Sequence, residues 1–129
     1  MNEKWHFNLR TPSEGLRRQL AEGVIANIFA GEKMTVSVVE LAPGAVSPAH
    51  QHPEEQWGFL IEGSITRILG EEKVEMQPGD FWRTPGNVPH GVVTGPEGAI
   101  VIDIFAPPRQ EYLKPGSGYG EVSKADGAD

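Results

Sequence analysis

The most constraining feature of this chain is a series of short apolar segments between Val24 and Phe105, each closed off by Gly, Pro or charged turn residues. The segments Val24–Phe29, Met34–Leu41, Gln56–Glu62, Ser64–Leu69, Lys73–Gln77, Asp80–Thr84, His90–Val93 and Ala99–Phe105 have the length of strands and are too short for core helices. Sixteen Gly and eleven Pro in 129 residues supply turns between them. Glu62-Gly63 and Gly70-Glu71-Glu72 read as tight hairpin connections. No convincing crossover helix separates the segments, so successive strands pair antiparallel. Such strands close as a sandwich or barrel, which hides their edges. The chain is predicted to be all-β and, at this length, a single domain.

The ends differ from this middle. Residues 1–23 read as an N-terminal arm. Ser13 to Gly23 fits either a short helix capped by Ser13 and carrying Leu16 and Leu20, or a strand through Leu16–Leu20 that pairs at a dimer edge. The barrel is expected over 24–113. After Lys114 the chain is Gly, Ser, Ala and charge, and a disordered tail is expected over 114–129. The net charge is −7, from 11 basic and 18 acidic side chains, and Arg17-Arg18 is the one basic pair. Nucleic acid and anionic membrane are therefore poor partners. The absence of cysteine excludes disulfides and thiolate metal sites. Met1–Arg10 holds no apolar signal run and no apolar stretch is long enough to span a bilayer, so the expected location is the cytoplasm.

Chemistry concentrates between Gly44 and His90. His50 and His52 are two apart, so in extended chain both imidazoles point to one face. Gln56, with three residues between it and His52, could add an amide oxygen. His90 opens a later strand and could close the site. His6, isolated in the arm, is read as an ordinary surface or core histidine.

A second group lies on Ala99–Phe105. Alternation puts Val101, Asp103 and Phe105 on the face opposite Ile100, Ile102 and Ile104. If that face lines the barrel, Asp103 is a carboxylate in an apolar cavity, with a raised pKa suited to proton transfer. Otherwise it is a strand-edge carboxylate facing water. Phe105 serves as core or as a platform for a substrate. Arg109 follows two prolines that stiffen the chain. Its fork either turns back to the barrel mouth to meet a carboxylate or pairs with Glu111 on the surface. Trp57, Phe59 and Trp82 are candidates for the cavity wall or for core packing.

Gly44–Gly63 and Gly79–His90 resemble the two cupin motifs, G-x5-H-x-H-x3-E-x6-G and G-x5-P-x-G-x2-H. Gln56 replaces the usual Glu and Asn87 the usual second Gly. The segments HPEEQ-WGFLIEG, GDFWRTPGNVPH and D-I-F-A-P-P-R-Q-E-Y-L resemble the KdgF-like pectin-degradation cupins. The tail there often reads R-E-D-Y, against Arg109-Gln110-Glu111-Tyr112 here. The resemblance implies a double-stranded β-helix, or jelly-roll barrel. It implies His50, His52, Gln56 and His90 as ligands of one divalent transition metal (Ni, Zn, Fe, Mn or Co). It implies that Asp103, Phe105 and Arg109 belong to an active site that opens 4,5-unsaturated monouronates from pectin or alginate to linear keto-uronates. A small anionic carbohydrate is then the partner, and a homodimer is expected by analogy with small cupins. Three imidazoles and an amide leave the metal its full double charge, which favours Lewis-acid chemistry on an acid over redox chemistry. The rival functions are an Fe- or Mn-dependent dioxygenase and a non-catalytic module that binds a small acid or sugar.

Overall fold

The computed structural model describes residues 5–119. A 3-10 turn, Pro12–Glu14, leads into strands β1 (Leu16–Ala21), β2 (Val24–Ala30), β3 (Thr35–Leu41), β4 (Val46–His50), β5 (Glu55–Leu69), β6 (Glu72–Met76), β7 (Phe81–Thr84) and β8 (His90–Ala106). A second 3-10 turn, Gln110–Leu113, follows. The strand order is β1-β2-β3-β8-β5-β6, with β4 against β8 and β7 against β5. All pairings between these strands are antiparallel. The result is the expected all-β jelly-roll barrel. No helix among the described residues is long and apolar enough to cross a membrane.

Eight strands were expected and eight are present among the described residues, but they are not the same eight. β5 joins Gln56–Glu62 to Ser64–Leu69, and β8 joins His90–Val93 to Ala99–Phe105. Glu62-Gly63 is therefore not a hairpin. The β5–β8 ladder slips between Leu60 and Glu62 and again between Gly63 and Ile65. Gly63 and Gly98 take φ of 84° and 79° there. A Cβ on Gly63 would lie 1.9 Å from the Gly98 carbonyl oxygen. Paired bulges without side chains let two long strands bend at one corner, so each serves both halves of the barrel. The two added strands are β1 and β4. Leu16–Ala21 takes the strand alternative and pairs with β2 in the same chain.

Period-two alternation selects the interior. Thr35, Ser37, Val39 and Leu41 of β3 face inward, as do Gln56, Gly58 and Leu60 of β5 and Val101 and Phe105 of β8. Leu20, Val24, Ile28, Ile65 and Trp82 complete one apolar cluster. Trp57 and Phe59 lie on the other face of β5 and are not cavity wall. They pack around Phe81, whose ring stacks on Phe59 at 5.3 Å, and leave Trp57 40% and Phe81 60% exposed. Trp82 alternates inward and does line the cavity.

Disorder was expected from 114, but as far as Tyr119 the chain folds back onto β1. Arg18, buried on β1, donates to the carbonyls of Glu111, Ser117 and Gly118 at 2.8 Å each and to that of Lys114 at 3.3 Å. The Gly118 N–H donates to the Gln19 carbonyl at 2.7 Å. A buried guanidinium needs this many acceptors, and a Gly/Ser segment offers its main chain without obstruction. Residues 120–129 of the expected tail lie outside the described residues.

Candidate metal centre

Two local devices bring the histidines together. His50 and His90 are register partners across β4 and β8, so their imidazoles share the inner face, with centroids 4.4 Å apart. The turn before β8 holds His52. Asn87 adopts φ 64° and donates its N–H to the His52 carbonyl at 2.7 Å. Gly86 lies so close that a Cβ would sit 2.3 Å from the Pro53 oxygen. The potential ligand atoms of His50, His52 and His90 all lie within 4.8 Å of one another, and the three residues are buried.

Hydrogen bonding aims the lone pairs. Nδ1 of His50 meets the Pro48 carbonyl at 2.9 Å, that of His52 the Glu54 carbonyl at 3.0 Å, and that of His90 the Val88 carbonyl at 2.8 Å. A carbonyl only accepts, so each proton sits on Nδ1 and each Nε2 keeps a lone pair. His90 Nε2 is buried without a partner. His52 Nε2 faces Gln56 Oε1 at 3.1 Å, which sets two acceptors against each other. Burial, with His90 and the other nearby cationic groups adding to it, holds His50 down at about 3. Burial and the Arg109 and His90 charges hold His52 at about 4. Burial also pushes His90 down. All three are thus neutral at pH 7. Converging neutral lone pairs, one orphaned and one opposed by an amide oxygen, are what a divalent cation satisfies. The donor set fits a metal.

Asp103 lies one step further in, between Ser37 of β3 and Gly58 of β5. It keeps some surface open to the cavity, yet depth in the barrel pushes its carboxyl up to about 7, against a hydrogen bond from the Gln56 side chain. Its expected position on the lining face is the observed one. Phe105 lies beneath the centre, edge-on to His52 at 5.5 Å and to Tyr112 at 5.5 Å.

Arg109 is placed differently from either expectation. It is 3% exposed and does not border the cavity. Its guanidinium bonds Glu54 at 3.3 Å and the Tyr119 carbonyl, and lies 4.9 Å from the Tyr112 ring. Glu111 is not its partner; Glu54 is, and Glu54 in turn flanks His52 Nδ1 with its carboxylate at 3.5 Å. Glu54, the first Glu of HPEEQ, could not have been singled out for this role, because spacing alone does not separate it from Glu55.

Several polar cavity residues went unread in the sequence, Ser47, Arg67 and Tyr119 among them. Tyr119 stacks on His50 at 4.0 Å and its hydroxyl bonds Ser47. Arg67 borders the cavity from β5. With Tyr119 in place the cavity holds about 60 Å³.

Residues 37–105 match the family model of the cupin domain. This chain belongs to the cupin family. Within it, the pectin degradation protein KdgF of Dickeya dadantii (strain 3937) is 30% identical over 97 residues, 74% of this cupin and 88% of that protein. The solved structure of KdgF from Halomonas sp. is 28% identical, with a TM-score of 0.72, over 84% of this cupin and 96% of that chain. The oxalate decarboxylase OxdC of Bacillus subtilis (strain 168) is 28% identical over 89 residues, 65% of this cupin but 23% of that protein.

Proposed function

We propose that this cupin is a metal-dependent enzyme that converts 4,5-unsaturated monouronates, released from pectin or alginate, to linear keto-uronates. One observation supports it above the rest. A carboxyl poised near neutral pH stands beside a ring of neutral histidine lone pairs, in a chain similar along most of its length to a pectin degradation protein. His50, His52, Gln56 and His90 would hold one divalent transition metal, Ni, Zn, Fe, Mn or Co. When bound, such a metal supplies a Lewis acid for a substrate oxygen.

The chain's own residues do the rest in this reading. The bond from C1 to the ring oxygen breaks, the C1 hydroxyl loses its proton, and C4 gains one as the enol at C5 becomes a ketone. Nothing is oxidised or reduced, so one proton-carrying group suffices. Asp103, divided between its two forms near pH 7, is that group. Phe105 packs under the site. Arg109 acts from behind it, by fixing Glu54 against His52. A cavity of about 60 Å³ has room for roughly two waters, so a sugar acid enters only once Tyr119 has left the mouth. The protein works in the cytoplasm as a homodimer.

The test follows the absorbance of freshly generated 4,5-unsaturated galacturonate with metal-loaded and metal-stripped protein. Faster loss of the enol-ether band with metal is expected. Equal rates, with metal demonstrably bound, would reject the uronate assignment. The small cavity favours one alternative, a module that binds a small acid without turnover.

A further inference from the structure

Beside Arg18 and Arg109 a third arginine, Arg67, is buried, and it binds neither a carboxylate, as Arg109 does, nor a set of four carbonyls, as Arg18 does. Arg67 is 8% exposed and borders the cavity from β5. Its Nη2 donates to two neutral acceptors, the Arg83 carbonyl at 2.8 Å and the Thr84 hydroxyl at 3.2 Å. Its Nε is buried and has no partner. Among the described residues, Arg10, Arg83 and Arg109 each pair with a glutamate, and Arg67 with none. The acidic group that acts on it is Glu72, exposed on β6 and beyond ion-pair distance. Burial lowers its pKa, but a guanidinium stays charged at any working pH.

Its position ties it to the site. Arg67 pairs with Val92, and Leu69 with His90, so Arg67 and His90 are diagonal neighbours on one inner face, about 7 Å apart at Cβ. Thr84, which Arg67 bonds, is the register partner of Gln56. A buried cation whose donors are not all satisfied is costly, and Arg67, unlike Arg18 with its four carbonyls, leaves Nε unbonded and open to an arriving anion. Arg109 is less well placed, because it does not border the cavity and Glu54 holds one arm of its fork.

We propose that Arg67 receives the carboxylate of the acid bound in this cavity, and so selects sugar acids over neutral sugars. The inference rests on the uronate reading for the sugar and on the unpaired guanidinium for the carboxylate. It makes Arg67 a specificity-determining residue, with the rest of the ring directed at the histidines and Asp103.

Calorimetric titration of the full chain with D-galacturonate and with D-galactose tests it, on metal-loaded and metal-stripped protein. Wild type should prefer the acid, and Arg67→Gln should lose at least about tenfold of that affinity in both forms, with metal content and galactose binding unchanged. Arg67→Lys should recover part of the loss. With the unsaturated uronate, KM should rise in Arg67→Gln while kcat stays within about twofold. A wild type with no preference for the acid would overturn the proposal, as would a folded Arg67→Gln of undiminished affinity. Should Arg67→Gln fail to fold, Arg67→Lys decides, with unchanged affinity and KM counting against it. Wild-type turnover with an unaltered KM in Arg67→Gln sinks the anchor and spares the reaction. Affinity lost in Arg67→Gln, without turnover in wild type, does the reverse.

Discussion

Asp103 occupies the position in the barrel where a carboxylate is most costly and most useful. Ionisation is disfavoured by depth, so its value rises from the ordinary 3.8 to about 7. The sign for stability follows. The fold bears no penalty from Asp103 below about 3.8 and the full penalty above about 7. In metal-free protein, Asp103→Asn should therefore raise the melting temperature at pH 8 and leave it nearly unchanged at pH 4. In the loaded enzyme the same substitution should lower kcat by about 10²–10⁴-fold with galacturonate affinity retained. A full rate would remove Asp103 from the chemistry, and no rate in wild type would favour the binding module. Gln56 explains itself beside this carboxyl. One end of its amide faces His52 and the other bonds Asp103. Gln56→Glu would exchange a donor for a second negative charge and should move the Asp103 limb of the pH–rate profile to higher pH. An unmoved limb would mean that the amide does not act on Asp103.

At the scale of elements, Arg18 supplies three hydrogen bonds to the strap from Lys114 to Tyr119, beside those with Gln19, Ser47 and Arg109. Charge-assisted hydrogen bonds contribute roughly 1.5–3 kcal/mol each, so Arg18→Ala should free the strap. Proteinase K followed by mass spectrometry should then find cleavage within 114–119 at least about tenfold faster, ahead of any cut in the barrel. Equal cleavage in both proteins would show that the strap is held by other contacts. The strap also shows what the sequence could not say. Its composition reads as disorder because composition counts apolar side chains, and the strap is bound through carbonyls. The strands were legible from alternation and from Gly and Pro, and the histidines from spacing within one short stretch. Gly63 misled, because a bulge and a hairpin use the same residue. Arg67 and Tyr119 reach the cavity through pairings between distant strands and segments, which leave no local pattern. The two faces of β5 were legible as alternating, but not which one was inside, and so Trp57 and Phe59 were candidates for the wall.

For the molecule as a whole, the outer aromatic group of Trp57, Phe59 and Phe81 is an exposed apolar surface on the barrel. A second copy set there would give the homodimer of the proposed reading. Sedimentation velocity should show a dimer for wild type and a monomer for Phe81→Lys with metal binding intact. A monomeric wild type would dismiss the assembly. The clamp on the strap carries one more consequence. Arg18 reads main-chain oxygens alone, so it is indifferent to the side chains the strap carries. Residue 119, the plug over His50, can be exchanged without disturbing the Arg18 bonds, with loss only of the Ser47 hydroxyl bond and the stacking on His50. A barrel arranged in this way can acquire a new entrance while its metal-binding floor stays as it was, which separates the evolution of access from the evolution of chemistry.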